Sequence, residues 1–327
     1  MIGLMALAPA ACASELDSAL WQQYRAAFIA PDRRVLDTGN NGVSHSEGQG
    51  FAMLLALAAN DRETFDALYS WTERTLKTTD SGLYAWRFDP SQTPQVSDPN
   101  NATDGDILIA WALLMASEKW DNPDYARRSQ TLRAAILREV VTVHAGKRIL
   151  LPGRIGFNDA ENGTVVFNLS YYVWPALDQF ARFEPMWNDI ISDGLALTAG
   201  SRFGSWQLPS DWIQIDAEGL VSPAAGRPPR FGYDAIRVPL YLAWSKRSAD
   251  LENYRRYWSE TEQSDGWPAW VDVVTGEFAP YRASVGAGAV ASLVLGRNII
   301  QPQKDIDYYS NSLMMLSLIA SKSKVLK

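Results

Sequence analysis

Cysteine is almost absent: Cys12 is the only one among 327 residues. No internal disulfide can form, so stability has to come from packing. Histidine is nearly as scarce, with only His45 and His144, and no two metal-type ligands recur at i, i+4 on a helix. That pattern speaks against a catalytic zinc site, and no cofactor is called for. Lys and Arg form no run longer than two residues; 30 basic against 37 acidic residues leave a net charge of -7. Such a surface has nothing to follow a phosphate backbone or an anionic lipid, so nucleic acid is not an expected partner. No stretch beyond the N-terminus reaches the roughly 18 uninterrupted apolar residues of a membrane span. Neither a fixed-period repeat nor a linker-like change of composition divides the chain.

Aromatic residues are plentiful, with 13 Trp and 13 Tyr. Flat apolar rings suit the C–H faces of sugars. Met1 to Ser14 is apolar and ends in Ala11-Cys12-Ala13, the small-x-small pattern of a signal-peptidase site. A positive segment ahead of it is missing, so an ordinary apolar N-terminus is the alternative. The expectation is a signal-peptide remnant over 1–13, export to the periplasm or the medium, and one catalytic domain over 14–327.

Helical periodicity dominates, near 17–29, 46–59, 62–77, 104–119, 123–143, 171–182, 185–199, 234–246, 249–264, 284–295 and 304–322. Short links join these segments in pairs; Asn60 can end one helix and Asp61 cap the next. Helical hairpins are therefore the implied unit. Longer connections, 78–103, 145–170, 200–233 and 265–283, hold strand-like runs such as Leu83–Phe88 and Trp270–Val274. Long ordered loops in a compact helical domain are usually functional. Gly286-Ala287-Gly288-Ala289 lacks the strand-turn-helix setting of a dinucleotide site and fits close helix packing instead.

Three carboxylates stand at expected helix starts: Glu47 in Ser46-Glu47-Gly48-Gln49-Gly50, Asp104 in Ala102-Thr103-Asp104-Gly105-Asp106, and Asp234 in Tyr233-Asp234-Ala235-Ile236-Arg237. Ser46 and Gln49 have the spacing of a capping box. Acidic residues favour helix N-termini for electrostatic reasons alone, by about 0.3–1 kcal/mol. Gly48 and Gly50 cost helix propensity, about 1 kcal/mol each, which points to close approach of a ligand to the backbone. Hydrolysis of a glycosidic bond needs one carboxyl to protonate the leaving oxygen and another to activate water or attack the sugar. A helix N-terminus favours the ionised form, so the acid needs burial or a neighbouring negative charge to keep its proton.

Those three motifs, in that order, resemble glycoside hydrolase family 8, and within it the endoglucanases of bacterial cellulose synthase operons. The resemblance implies an all-α fold, an (α/α)6 barrel of helical hairpins with long loops and short strands at the cleft. It implies hydrolysis of internal β-1,4 bonds with inversion, Glu47 matching the general acid, Asp234 the base and Asp104 the carboxylate that holds the sugar at the cleavage point. Inversion carries a carboxyl separation of about 6.5–9.5 Å.

By the same resemblance, Tyr233 and Arg237 contact water or substrate, although Arg237 could simply pair with Asp234 at i,i+3. Trp86 matches a tryptophan that stacks a sugar, or else packs its own loop. Asn168-Leu169-Ser170-Tyr171 is similar to an Asn-Pro-Ser-Tyr segment, with Leu169 in place of proline, and makes Tyr171 a cleft residue. Tyr308 and Tyr309 match a tyrosine pair, with core packing as the alternative; Phe51 stands where tyrosine is common. His45, two residues from Glu47, is expected to bond nearby backbone. The partner is a β-1,4-glucan chain, with a functional link to a cellulose synthase complex. The alternatives are a xylan- or chitosan-cleaving member, or a glucan-binding component of an export machine that does not cut.

Overall fold

Twelve of the thirteen residues from Ser46 to Ala58 are buried. A helix apolar all round belongs at the centre of a fold. The computed structural model describes residues 16–299 and 307–323, and in them this helix is one of eleven. They are α1 (Ser18–Phe28), α2 (Ser46–Ala58), α3 (Arg62–Thr75), α4 (Thr103–Lys119), α5 (Pro123–Glu139), α6 (Trp174–Phe180), α7 (Met186–Gly200), α8 (Arg237–Trp244), α9 (Glu252–Thr261), α10 (Val285–Val294) and α11 (Tyr308–Lys322).

The inner helices close a ring. α2 packs on α4, α4 on α6, α6 on α8, α8 on α10 and α11, and α11 returns to α2. Helices α3, α5 and α7 each fold back on the inner helix before them. They bury one side only: α5 has six buried residues of seventeen, against twelve of thirteen in α2. This is an (α/α)6 barrel, and its core runs through the inner ring.

Local chemistry explains the hairpins. Asn60 takes a left-handed conformation at φ 58° to end α2, and Asp61 caps α3 by accepting from Thr64 N–H at 3.0 Å. The other Asp61 oxygen accepts from Trp21 Nε1 and Arg25 Nη1, which ties α1 to the same corner. Gly286 lies against Ser310 of α11, where a Cβ would collide with its backbone, so this glycine of α10 serves helix packing, whereas Gly288 faces Trp267 with room for a Cβ.

Three expected helices are shorter than their periodicity. The segment from 123 stops at Glu139, and Val141–His144 pairs antiparallel with Lys147–Leu150. Val140-Val141-Thr142-Val143 is β-branched throughout, and Ala145 and Gly146, both at positive φ, form the tight turn. The segment from 171 begins its α-helix only at Trp174, with Pro175 in the first turn, after a 3-10 turn at Leu169–Tyr171. The segment from 234 begins at Arg237. The expected start at 304 and the expected signal peptide over 1–13 lie outside the described residues.

Short strands form in the long connections. Ser44–His45 pairs with Arg87–Phe88, and Arg230–Phe231 pairs with Val271–Asp272. A four-stranded antiparallel sheet joins Asn158–Asp159, Thr164–Phe167, Ile213–Ile215 and Val221–Pro223. The first two pairs each lead straight into a candidate carboxylate, Glu47 or Asp234. Among the described residues no helix is long and apolar enough to cross a membrane.

Candidate active site

Glu47 and Asp104 lie in the first turns of α2 and α4. The two helix starts touch: a Cβ on Gly105 would stand 2.7 Å from Glu47 N, closer than packed atoms permit. Gly50 meets Leu108 of α4 and Gly48 meets Tyr308 in the same way. These glycines therefore serve the approach of one helix to another, and the expected approach of a ligand is not their reason. The expected capping box is absent as well. Gln49 turns inward to Val35 N–H, Leu68 O and Thr72 Oγ1, Ser46 Oγ has no partner, and Ser46 N–H donates to Trp86 O at 3.0 Å.

Asp234 sits in the turn ahead of α8. The turn is closed by Ile236 N–H to Gly232 O at 3.0 Å and Arg237 N–H to Asp234 O at 3.0 Å. Arg237, the first residue of α8, is the centre of the site. One nitrogen, Nη1, donates to Asp104 Oδ2 at 2.8 Å and contacts Glu47 Oε1; the other, Nη2, donates to Asp234 Oδ1 at 2.6 Å. Its side chain is 3% exposed, and Asp104 2%, whereas Glu47 and Asp234 open to the surface at 18% and 29%. All four line one cleft of about 240 Å³ with His45, Trp86, Tyr171, Tyr233 and Tyr309.

Three carboxylates on one buried cation leave a net negative charge if all are ionised, which a low-dielectric site resists. Burial pushes Asp104 up to about 7, against the Gly105 N–H that accompanies it. Asp234 is pushed well above the usual carboxylate range by burial first, then by the charges of Asp211 and Asp104; polar contacts with Trp212 and Asn168 act against this. Arg237 opposes it too. The cluster therefore holds a proton near neutral pH, shared among interacting groups.

The aromatic walls differ in role. Trp86 lies parallel to the His45 ring at 5.8 Å and 6°, and its indole N–H donates to Asp98 at 2.8 Å. Tyr171 stands with its ring 5.7 Å from the Arg237 guanidinium. Tyr309 Oη donates to Tyr233 O at 2.6 Å, and Tyr233 is 57% exposed, paired with Tyr281 through their hydroxyls.

The family model for glycosyl hydrolases family 8 matches residues 1–323. The chain belongs to glycosyl hydrolase family 8. It is 44% identical to an endoglucanase of Cellulomonas uda over 84% of its length and 77% of the relative's. A probable endoglucanase of Novacetimonas hansenii is 41% identical over 94% of this chain and 91% of its own. The crystal structure of a family 8 endoglucanase from Klebsiella pneumoniae superposes with a TM-score of 0.89 at 42% identity, covering 93% of this chain and 98% of that one. A family 8 member is a glycoside hydrolase, and such chemistry needs a pair of carboxyl groups.

Eight of the nine site residues expected from the sequence line this one cleft: Glu47, Asp104, Asp234, Trp86, Tyr171, Tyr233, Arg237 and Tyr309. Tyr308 does not. It is 2% exposed, packs edge-on to Phe28 and stands against Gly48 behind α2. One position apart on α11, the two tyrosines point in different directions, and only Tyr309 reaches the cleft. His45 departs from its expected backbone bond: its ring lines the cleft, with Nδ1 3.7 Å from Asp37 Oδ2. Burial lowers its pKa, Asp37 raises it and Arg87 lowers it. Asp211 and Trp212 were not singled out in the sequence, since a lone Asp-Trp in the long connection 200–233 carries no motif.

Proposed function

We propose that this chain is an inverting endo-β-1,4-glucanase acting on cellulose or a soluble β-1,4-glucan, with Glu47 as acid, Asp234 as base and Asp104 holding the sugar between them. The observation that carries this is the buried Arg237 guanidinium joining all three carboxylates in one open, aromatic-walled cleft. Glu47 and Asp234 meet different nitrogens of that group, so a planar cation separates them. Inversion requires a carboxyl separation of about 6.5–9.5 Å, because water must fit between the base and the anomeric carbon.

The step balances simply. Glu47 gives its proton to the glycosidic oxygen as the C1–O bond breaks, and Asp234 takes a proton from the water that bonds to C1 from the opposite face. Each turnover leaves Glu47 ionised and Asp234 protonated, and exchange with solvent through their exposed sides restores them. Arg237 sits where it can offset the charge of whichever carboxylate is ionised. A like-charged neighbour and burial keep the cluster's last proton available at neutral pH.

The relatives' endoglucanase names support the polymer, and the aromatic walls support a neutral sugar chain. The same reading places the protein in the periplasm or outside the cell after removal of residues 1–13, with 14–327 as its catalytic domain. Its trimming activity would serve a cellulose synthase complex. The test is loss of viscosity of carboxymethylcellulose by wild type beside Glu47→Gln and Asp234→Asn, with product anomers followed by NMR. Rapid thinning, α-anomer product and a fall of several orders of magnitude in both variants is the expected result. β-Anomer product would overturn inversion, and cleavage of xylan or chitosan in place of glucan would overturn the polymer. Glucan binding by an inert wild type would make the protein a binding component.

A further inference from the structure

Asp211 lies behind the cleft wall, 23 residues from Asp234, and its carboxylate is spent on that residue's backbone. Asp211 Oδ1 accepts from Gly232 N–H at 3.1 Å, Asp234 N–H at 3.0 Å and Ala235 N–H at 2.7 Å. One oxygen thus gathers three amides of a single turn, an anion nest built from the loop that presents the candidate base. Its own backbone is tied to the strand leading into that turn, with Asp211 N–H donating to Arg230 O at 2.6 Å. Gly232 makes room for the contact: a Cβ there would stand 2.9 Å from Asp211 Oδ2. The neighbouring Trp212 makes a polar contact with the Asp234 carboxyl. Trp212 is itself clamped between the Phe157 ring at 5.8 Å and the Arg227 guanidinium at 3.9 Å.

Two successive residues therefore hold the turn and its carboxylate from one anchored segment. We propose that Asp211 is a positioning residue for hydrolysis, fixing the Asp234 carboxylate at the water-bearing face of the cleft through the three amides of its turn. The proposal rests on Asp234 being the base.

The three amides alone would be met by any acceptor, so the charge has a second consequence. Asp211 is pushed up to about 6 by burial, against the three amides and Arg230. The three amides favour its ionised form. The groups facing Asp234 are Arg237 from α8, Asp104 from α4, Tyr171 from the 3-10 turn, Tyr309 from α11 and Asp211. Of these, Asp211 and Asp104 raise its proton affinity, which suits a base working near neutral pH. Tyr233 and Arg230 face Asp211 itself.

Charge and grip can be separated by substitution. Asp211→Asn keeps an acceptor oxygen for the amides and removes the charge; Asp211→Ala removes both. With carboxymethylcellulose as substrate, kcat and KM are measured from pH 4 to 9 for wild type, both variants and Asp234→Asn, with thermal unfolding as a check on folding. Asp211→Asn is expected to move the acidic limb of kcat to lower pH by about half a unit or more. Asp211→Ala is expected to lower kcat by about 10²-fold with KM changed little, since the cleft residues Trp86, Tyr171 and Tyr309 lie outside the turn that Asp211 holds. An acidic limb that stays in place in Asp211→Asn, together with an Asp211→Ala kcat within twofold of wild type, overturns the proposal. If Asp211→Ala fails to fold, the pH profile of Asp211→Asn decides alone. Wild-type turnover by Asp234→Asn removes the base assignment and the proposal with it. An inactive Asp234→Asn, beside an unmoved Asp211→Asn profile and an Asp211→Ala kcat within twofold of wild type, overturns only the role of Asp211.

Discussion

Arg237 donates to Asp104 at 2.8 Å across 133 residues of sequence. The pair joins the first residue of α8 to the first turn of α4, and both side chains are almost wholly buried. Neither would survive alone in that position, since an unpaired charge in a dry site costs several kcal/mol.

Replacing Arg237 by Met strands three carboxylates. Urea unfolding at pH 7 is expected to show a loss of about 3–5 kcal/mol. Arg237→Lys keeps a charge and loses the planar fork that meets Glu47, Asp104 and Asp234 together. Its stability is expected to fall less than that of the Met variant, while its kcat on carboxymethylcellulose falls by at least 10²-fold. Wild-type kcat in the Lys variant would reduce Arg237 to a scaffold.

Asp104→Asn removes one of the two charges that raise Asp234. A base must be ionised to work, so activity is lost as pH falls through its pKa; with the neighbour neutral, that pKa drops and the acidic limb shifts to lower pH. Turnover falls at the optimum because the sugar hydroxyls lose a charge-assisted hydrogen bond to the carboxylate. The pH profile of kcat measures the first effect, and a limb at its wild-type position would separate Asp104 from the proton chemistry.

Asp106, two residues on in the same first turn, is wholly buried, accepting from Tyr84 N–H and Asn101 Nδ2, each at 2.9 Å. Burial pushes it up to about 7. Its pKa is higher folded than unfolded, so the stability it contributes is complete below about pH 4 and is lost as pH rises to about 7. One proton changes the slope by ~1.4 kcal/mol per pH unit in that window. Denaturant unfolding from pH 4 to 8 should show a shallower decline in Asp106→Asn than in wild type. Parallel slopes would mean that Asp106 is ionised throughout.

Gly105→Ala places a methyl against Ser46 and the backbone N of Glu47. The start of α2 must move from that of α4, at a cost of about 1–3 kcal/mol. Thermal unfolding should register it, and kcat should fall more than KM rises, because Glu47 shifts while Trp86 stays. An unchanged kcat in a folded variant would show that the acid tolerates the displacement.

Most helices were legible because apolar and amphipathic stretches of helical period are separated by capping and turn residues. α2 and α4 are apolar on every side, and the outer helices carry one stripe. The misjudged ends have local causes. Val140–Val143 continues an apolar pattern that β-branching turns into a strand, and Asp234 belongs to a turn held by Asp211, a residue that no nearby sequence announces. Tyr308 and Tyr309 could not be told apart, because which side of α11 meets the cleft depends on how α11 lies against α2.

Residue order by itself determined helical hairpins with three acidic residues at or near helix starts, because periodicity, capping and spacing act within a few residues of each other; the closed barrel was implied only by the family resemblance. Only the tertiary structure decided that the three carboxylates share one guanidinium, that Gly48, Gly50 and Gly105 exist for helix contact, and that Asp211 grips the turn of Asp234. Those relationships join residues far apart in the chain, and their energies arise when burial removes water from charges that no local pattern brings together.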